Sequence, residues 1–157
     1  MSIKIDALDS ALLAELAVDP RVPILELAQR LGVARNTVQA RMKRLESSGA
    51  VRGYLPDVDL AAIGFGVHAF LGIEVDQNKM DAIVEALRDF PNVLEVHATT
   101  GRSDLLVRIA ARSQQDLLAV VQRVHTIRGV KHTETMLALA TPIEYRSLPL
   151  VEHVNDA

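Results

Sequence analysis

The chain has 157 residues, of which 49% are hydrophobic and 24% are charged. This composition is typical of a folded protein with one large or two small domains, and it excludes a disordered chain. No apolar run reaches the length of a membrane span, and the first residues lack the apolar core of a signal peptide. There is no cysteine, which excludes a disulfide framework. We therefore expect a cytoplasmic protein.

The net charge of −3 is unevenly divided along the chain. Residues 1–53 carry eight lysines and arginines against six acidic residues, whereas residues 54–157 carry nine against fourteen. The first part is therefore basic and the rest is acidic. Positive charge concentrated in one segment indicates that this segment alone has a polyanionic partner.

Three short helices are predicted in residues 1–53. The first follows Asp6 or Asp9, either of which suits a helix cap, and it ends before Pro20. The second runs from Pro23, a residue that suits a helix start, to Gly32, a residue that suits a helix end. A basic third helix follows at once.

The second and third helices have the pattern of a helix-turn-helix. Leu27 and Leu31 lie on one face of the second helix, and Val38, Met42 and Leu45 form an apolar stripe on the third. Between Leu27 and Leu45 there are five basic residues and no acidic one. Such a basic helix is often only a solvated surface, but after a tight turn it also fits the major groove. The sequence predicts double-stranded DNA as the partner.

The outward side of the third helix supplies the candidate DNA contacts. The predicted base contacts are the polar side chains nearest its N-terminus, Arg35, Asn36 and Gln39. The predicted phosphate contacts, which position the protein without reading sequence, are Thr37, Lys43 and Arg44. Arg41 has two open assignments: it contacts DNA, or it pairs with Glu26 or Asp19 inside the module.

From Gly66 onward the apolar pattern changes from helical to alternating. Strands are predicted over residues 67–75, 93–99, 104–111 and 130–139, and helices over 80–87 and 117–124. A shift of 37 residues superposes six apolar positions, from Met80 on Leu117 to Val93 on Val130. The repeat indicates a duplicated β-α-β unit. The expected fold is α+β, with an N-terminal helix-turn-helix domain followed by a ferredoxin-like βαββαβ domain.

The predicted boundaries follow from these patterns. Residues 1–53 form the DNA-binding domain, 54–65 a linker, 66–142 the ferredoxin-like domain, and 143–157 a C-terminal tail. In a ferredoxin-like domain both helices cover one face of the sheet. Phe70, Gly72 and Glu74 fall on the other face, and this half-apolar surface predicts a homodimer interface.

Several motifs run through nearly the whole chain. They are Asp19-Pro20-Arg21, Glu26-Leu27-Ala28, Leu31-Gly32-Val33, Arg44-Leu45-Glu46, Gly64, the turn from Thr100 to Leu106 and the strand from Thr133 to Leu139. In this combination the chain resembles the Lrp/AsnC family, the leucine- and asparagine-responsive regulators.

The resemblance implies a transcription regulator that reads a pseudo-palindromic operator as a dimer. It also implies assembly into tetramers or octamers, and an amino acid or related small molecule as effector. One position departs from the family, which usually has a serine where this chain has Ala34. Ala34 cannot cap the reading helix, so Asn36, Thr37 or backbone amides must take over that role.

The turn from Thr99 to Asp104 is the candidate effector site. Gly101 permits exposed amides that suit a carboxylate, and Asp104 suits an ammonium group. The ordinary alternative is that both residues only build a hairpin turn, but the family resemblance favours binding. The full predicted set is Thr100, Gly101, Arg102, Asp104, Thr133 and Thr135, the last two supplying hydroxyls.

No pattern indicates catalysis. The five histidines are scattered without metal-ligand spacing, and no triad or Gly-rich phosphate loop is recognisable. We therefore predict no metal, no cofactor and no enzyme activity. Two alternatives stay open: an architectural DNA-binding protein with little sequence choice, and a metabolic sensor or enzyme built on the ferredoxin-like domain. The outward Asn36 and Gln39 argue against the first.

Overall fold

A computed structural model describes residues 3–153, which form two compact units. The first unit contains the residues up to Pro56 and those from Ile143 onward, and the second is Asp57–Pro142. The described part of the predicted C-terminal tail therefore belongs to the first unit. The outer ends of the predicted first domain and tail, residues 1–2 and 154–157, lie outside the described residues.

The helices and strands are α1 (Ala7–Val18), α2 (Ile24–Leu31), α3 (Arg35–Ser47), β1 (Val67–Val75), α4 (Met80–Arg88), β2 (Val93–Ala98), β3 (Leu105–Ala111), α5 (Gln114–His125), β4 (Val130–Leu137) and α6 (Leu148–His153). Those from α1 to β4 follow the predicted order, and a short helix that was not predicted, α6, follows them. Residues 52–59 join the two units without forming a helix or strand.

Local capping determines where the first helices begin and end. The Asp6 carboxylate accepts the Asp9 amide at 2.9 Å, and the Asp9 carboxylate accepts the Asp6 amide at 3.1 Å, so the two residues cap α1 reciprocally. Gly32 ends α2 with a left-handed φ of 64°, as predicted. The helices enclose one apolar core formed by Leu12, Leu16, Val22, Leu27, Ala28, Val38 and Leu45.

The short helix α6 lies against α1. The buried Ser10 hydroxyl on α1 donates a hydrogen bond of 2.9 Å to the Val151 carbonyl on α6. The chain thus returns to the first unit after the last strand of the second.

The second unit has the ferredoxin-like arrangement. Its four strands form an antiparallel sheet in the order β2-β3-β1-β4. Alternate residues of β1 and β3 pack with α4 and α5 in one core that includes Leu71, Ile73, Ile83, Val107, Ile109 and Val120. The α+β prediction is confirmed, and each strand begins within one residue of its predicted start.

The other sheet face carries no helix of this unit. Phe70 on β1 is 38% exposed, and its register partner Met136 on β4 is 47% exposed. Two residues beyond Phe70 on β1, the Ser103 side chain covers Gly72. The half-apolar character that was predicted for this face is confirmed.

Candidate nucleic-acid interface and effector site

The helix α3 presents an exposed polar face. Arg35, Asn36, Gln39 and Lys43 are exposed, whereas Val38 and Leu45 are each 1% exposed and belong to the core. The predicted orientation of the helix is therefore confirmed, while contact with DNA stays a prediction. Arg35 and Lys43 make no ion pair with any described residue, so both charges are available to a partner.

The N-terminus of α3 lacks a side-chain cap. Ala34 occupies the cap position with extended backbone and makes no side-chain hydrogen bond. Its carbonyl accepts the amide of Thr37 at 2.9 Å, which leaves the amides before Thr37 outside the intrahelical pattern. Amides at a helix start can bind a phosphate oxygen. Ala34 thus leaves the first amides of α3 without a side-chain cap.

Arg41 pairs inside the module, but with other partners than predicted. Its guanidinium donates to the carboxylate of Asp6 and, at 3.2 Å, to Oδ1 of Asp9. The prediction of Glu26 or Asp19 as partner was wrong. The start of α1 reaches α3 only through tertiary packing, which a local sequence pattern does not reveal.

Glu26 is engaged elsewhere in the first unit. Arg30 donates to Glu26 at 2.6 Å and to Glu15 at 2.7 Å. Arg30 and Glu26 lie four residues apart on α2, where side chains on one face of a helix meet. Both hydrogen bonds raise the pKa of Arg30, and the one to Glu15 has the larger effect.

Arg44 also contacts Asp9. Its guanidinium donates to Oδ2 of Asp9 and, at 3.3 Å, to the carbonyl of Lys4. Its Nε is buried and has no hydrogen-bond partner among the described residues. Asp9 itself is 0% exposed. Sequence reasoning missed Asp9 as part of this cluster, and its pairing with Asp6 in the cap was the only local signal.

The ion pairs perturb the groups that form them. The hydrogen bond from the Asp9 amide and that from Arg41 lower the pKa of Asp6 from 3.8 to about 2, because both favour the charged carboxylate. The hydrogen bonds that Arg41 donates to Asp6, the larger effect, and to Asp9 raise the pKa of Arg41. In the described part of the first unit, the lysine and arginine side chains left without an ion pair are Lys4, Arg21, Arg35, Lys43, Arg52 and Arg146.

The predicted effector turn joins β2 to β3. Gly101 has a φ of 118°, which favours glycine, and Thr100 and Arg102 are exposed beside it. The Thr99 hydroxyl donates to the Ser103 carbonyl at 2.6 Å. The turn is thus a compact hairpin with exposed groups at its tip.

Asp104 has a structural role at the base of this hairpin. Its Oδ2 accepts the Val75 amide at 2.8 Å, and its Oδ1 accepts the Gln77 side-chain amide at 2.6 Å. Within one chain the Asp104 side chain therefore ties the hairpin to the residues at the end of β1. Each carboxylate oxygen can accept a second hydrogen bond, so its contact with an ammonium group stays a prediction.

The two predicted threonines do not meet the hairpin within one chain. Thr133 pairs with Ile73 in the register and Thr135 with Leu71, so both lie on the sheet face that carries the helices. The Thr133 hydroxyl contacts Nε2 of His125 on α5 at 2.5 Å. Thr133 lies one strand beyond β1 from the hairpin, roughly 10 Å away across two strand spacings.

A groove next to the hairpin was not predicted. It lies between α4 and β2 and has a volume of about 440 Å³. The lining residues are Met80, Asp81, Val84, Glu85, Arg88, Val96, Ala98 and Leu105. Ala98 and Leu105 are the strand residues that flank the predicted effector turn, so the groove extends to that turn.

Residues 3–153 contain neither a metal-binding cluster nor a membrane-spanning helix. No three histidine, aspartate or glutamate side chains are grouped so as to hold a metal ion. No helix in this range is both long and apolar enough to cross a membrane.

Two family profiles match the two parts of the chain. Residues 5–46 match the AsnC-type helix-turn-helix domain, and residues 68–148 match the Lrp/AsnC ligand binding domain. The HTH-type transcriptional regulator FL11 of Pyrococcus furiosus is 32% identical over 146 residues, which cover 93% of this chain and 97% of that protein. The regulatory protein AsnC of Haemophilus influenzae is 28% identical over 141 residues, or 88% and 94% of the two chains.

Solved structures share the fold over nearly the full length. E. coli AsnC superposes with a TM-score of 0.86 at 28% identity, covering 92% of this chain and 99% of that one. A transcriptional regulator of Neisseria meningitidis, solved as its L-methionine complex, has a TM-score of 0.85 over 93% and 97% of the two chains. Its identity is 24%, so the likeness concerns the fold.

Proposed function

The chain belongs to the Lrp/AsnC family of transcriptional regulators, and on that premise we propose that it reads a two-fold-related operator through α3. The observation that carries the proposal is the exposed face of α3, on which Arg35 and Lys43 have no acidic partner among residues 3–153. Arg35, Asn36 and Gln39 have the donors and acceptors that pair with guanine and adenine edges in the major groove. Such a regulator acts where the DNA is, in the cytoplasm.

We assign the phosphate contacts to polar side chains of α3 that make no ion pair with another described residue. Lys43 is exposed and unpaired, and Thr37 lies in the uncapped first turn, so both suit phosphates. Arg41 and Arg44 are already paired with carboxylates of the same unit. We therefore do not assign them to the operator.

The open sheet face supports a homodimer. Phe70 and Met136 form an exposed apolar pair there, and a two-fold axis would place the same pair of a second chain against it. Two α3 helices related by that axis would read half-sites about one DNA turn apart. Further assembly into tetramers or octamers is what the family resemblance implies.

Selection of bound fragments from a random DNA library tests the reading of sequence. We expect a motif with two related halves. Arg35→Ala should weaken binding to that motif by about 1–3 kcal/mol while affinity for random DNA changes little. Arg88→Ala removes an equal charge from the second unit and is the matched control. Binding without any enriched motif would support the architectural alternative, and no binding to DNA would refute both.

We further propose that an amino acid or close analogue binds at the hairpin from Thr100 to Asp104. Exposed amides at Gly101 suit its carboxylate, and the adjoining groove offers apolar surface for its side chain. The Neisseria relative, which shares the fold, was solved with L-methionine. A hairpin encloses little surface alone, so a second chain would complete the site, and Thr133 and Thr135 would contribute from that chain.

Calorimetry with the common amino acids tests this site. We expect wild type to bind at least one, and Asp104→Asn to bind it far more weakly while DNA binding without the effector persists. Asparagine keeps the shape and an acceptor oxygen for the Val75 amide. Asp89→Asn, an equal charge change at the end of α4, should bind like wild type. If Asp104→Asn binds the amino acid as tightly as wild type does, the assignment of the effector site is wrong.

A further inference from the structure

The carboxylate of Asp9 is buried, whereas most carboxylates in proteins are exposed to solvent. It is 0% exposed, and both of its oxygens face guanidinium groups of α3, Oδ1 that of Arg41 and Oδ2 that of Arg44. A carboxylate shielded from water requires such partners, because an unpaired buried charge is strongly unfavourable. Asp9 therefore holds Arg44, and it holds Arg41 together with Asp6.

The arrangement sorts the cations of α3 into two groups. The helix carries Arg35, Arg41, Lys43 and Arg44. The side chains of Arg41 and Arg44 are 30% and 41% exposed and point towards the start of α1. Arg35 and Lys43 are exposed and unpaired. The division follows the angles at which the side chains leave the helix, since Arg41 and Arg44 lie three residues apart on one flank.

Arg44 bears a further sign of this constraint. Its guanidinium reaches Asp9 and the Lys4 carbonyl, while its Nε is buried without a hydrogen bond among the described residues. A guanidinium in water would have all five donors solvated. The contact with Asp9 thus holds Arg44 in place although one of its donors is unsatisfied.

We propose that Asp9 is a positioning residue for DNA reading: it withholds Arg41 and Arg44 from phosphates and fixes the rotation of α3 about its axis. Phosphate contacts strengthen binding to every sequence alike. Neutralising two of the four α3 cations internally therefore lowers affinity for random DNA and leaves discrimination to Arg35 and the polar groups beside it. The proposal rests on the proposed DNA-binding function and adds how its specificity is set.

The salt dependence of binding to random DNA separates positioning from mere stabilisation. Each phosphate contact contributes about 0.9 to the slope of log affinity against log salt. Asp9→Asn keeps the shape and one acceptor for the Asp6 amide, but it removes the charge that holds the arginines. We expect the slope to steepen by about 0.9 for each freed arginine in a DNA-bound protomer, and the ratio of motif to random affinity to fall. A purely structural Asp9 would lower both affinities and leave the slope unchanged.

Glu15→Gln is the matched control for net charge. It removes one acidic group from the same unit, but its partner Arg30 lies on α2 and keeps Glu26. We expect the wild-type slope. A steeper slope in Glu15→Gln equal to that in Asp9→Asn would show that only net charge matters, and it would overturn the proposal.

Two neighbouring residues give a second test that does not depend on folding of the Asp9 variant. Lys43→Gln should flatten the salt slope on random DNA by about 0.9 for each DNA-bound protomer, whereas Arg44→Gln should leave it unchanged, because Arg44 does not reach phosphate. Equal flattening by both substitutions would overturn the proposal.

Tyrosine fluorescence verifies that the first unit is folded, since Tyr54 and Tyr145 both belong to it and the chain has no tryptophan. A wild type that binds no DNA would instead refute the proposed function.

Discussion

At the scale of single residues, the three arginines of α3 differ in their surroundings. Arg41 and Arg44 are the same residue type as Arg35, on the same helix, yet only the first two face Asp9. The difference lies in the angle at which each side chain leaves α3. Composition alone does not distinguish the paired arginines from the unpaired one.

The capping carboxylate Asp6 should make the stability of the first unit depend on pH. Its pKa is lowered from 3.8 to about 2 in the folded protein, mainly by the Asp9 amide and by Arg41. A lowered folded-state pKa contributes stability above the unfolded value, and this contribution is lost as pH falls towards about 2. We expect wild type to exceed Asp6→Asn in urea midpoint at pH 6 and the difference to vanish near pH 2. Tyrosine fluorescence measures it, and a difference that persists at pH 2 would contradict the assignment.

Gly72 is required by a close approach in the sheet. A Cβ at this position would lie 2.6 Å from Oγ and 3.3 Å from Cβ of Ser103. Gly72→Ala should therefore destabilise the second unit by about 1–3 kcal/mol through overpacking. Ser103→Ala removes the nearer atom, so the double variant should recover much of the loss. Thermal unfolding followed by circular dichroism measures this, and additive losses in the double variant would argue against the clash.

At the scale of helices and strands, local signals sufficed. Gly32 predicted the end of α2 because a left-handed residue closes a helix. The alternation in β1 predicted which side chains face the helices, since neighbouring residues of a strand point to opposite faces. These signals act within a few residues and do not depend on the rest of the chain.

The turn between α2 and α3 should be sensitive to the residue at position 32. Gly32 has a φ of 64°, and no atom lies within 4 Å of an added Cβ, so any cost comes from the backbone. We expect Gly32→Ala to lower the free energy of unfolding of the first unit by about 1 kcal/mol. Gly32→Asn should cost less, because asparagine tolerates this conformation. Urea unfolding followed by tyrosine fluorescence ranks the variants, and equal stability of alanine and glycine would refute the explanation.

At the scale of the whole molecule, the chain contains two units with separate cores, and the first includes residues from both ends of the chain. The described C-terminal residues complete the first unit through the contact between α6 and α1. The N-terminal sequence alone therefore does not contain all of the unit that carries α3.

The open sheet face should determine the oligomeric state. Phe70→Glu places a charge on this face and should convert the proposed dimer into a monomer, because burying an unpaired carboxylate is unfavourable. Leu118→Glu alters a more exposed leucine on α5, 57% against 38% for Phe70, and should leave the dimer intact. Sedimentation velocity compares the two variants with wild type. Loss of the dimer in Leu118→Glu alone would place the interface on the helical side.

The sequence by itself determined the order of the helices and strands from α1 to β4, the exposed face of α3 and the hairpin around Gly101. Helix caps, apolar periodicity and turn residues act locally, and each can be recognised within a short segment. Only the tertiary structure decided that Asp9 pairs with Arg41 and Arg44, that Thr133 lies against His125, and that a groove lies between α4 and β2. These features depend on how segments distant in sequence pack together, and no periodic pattern within one segment specifies that packing.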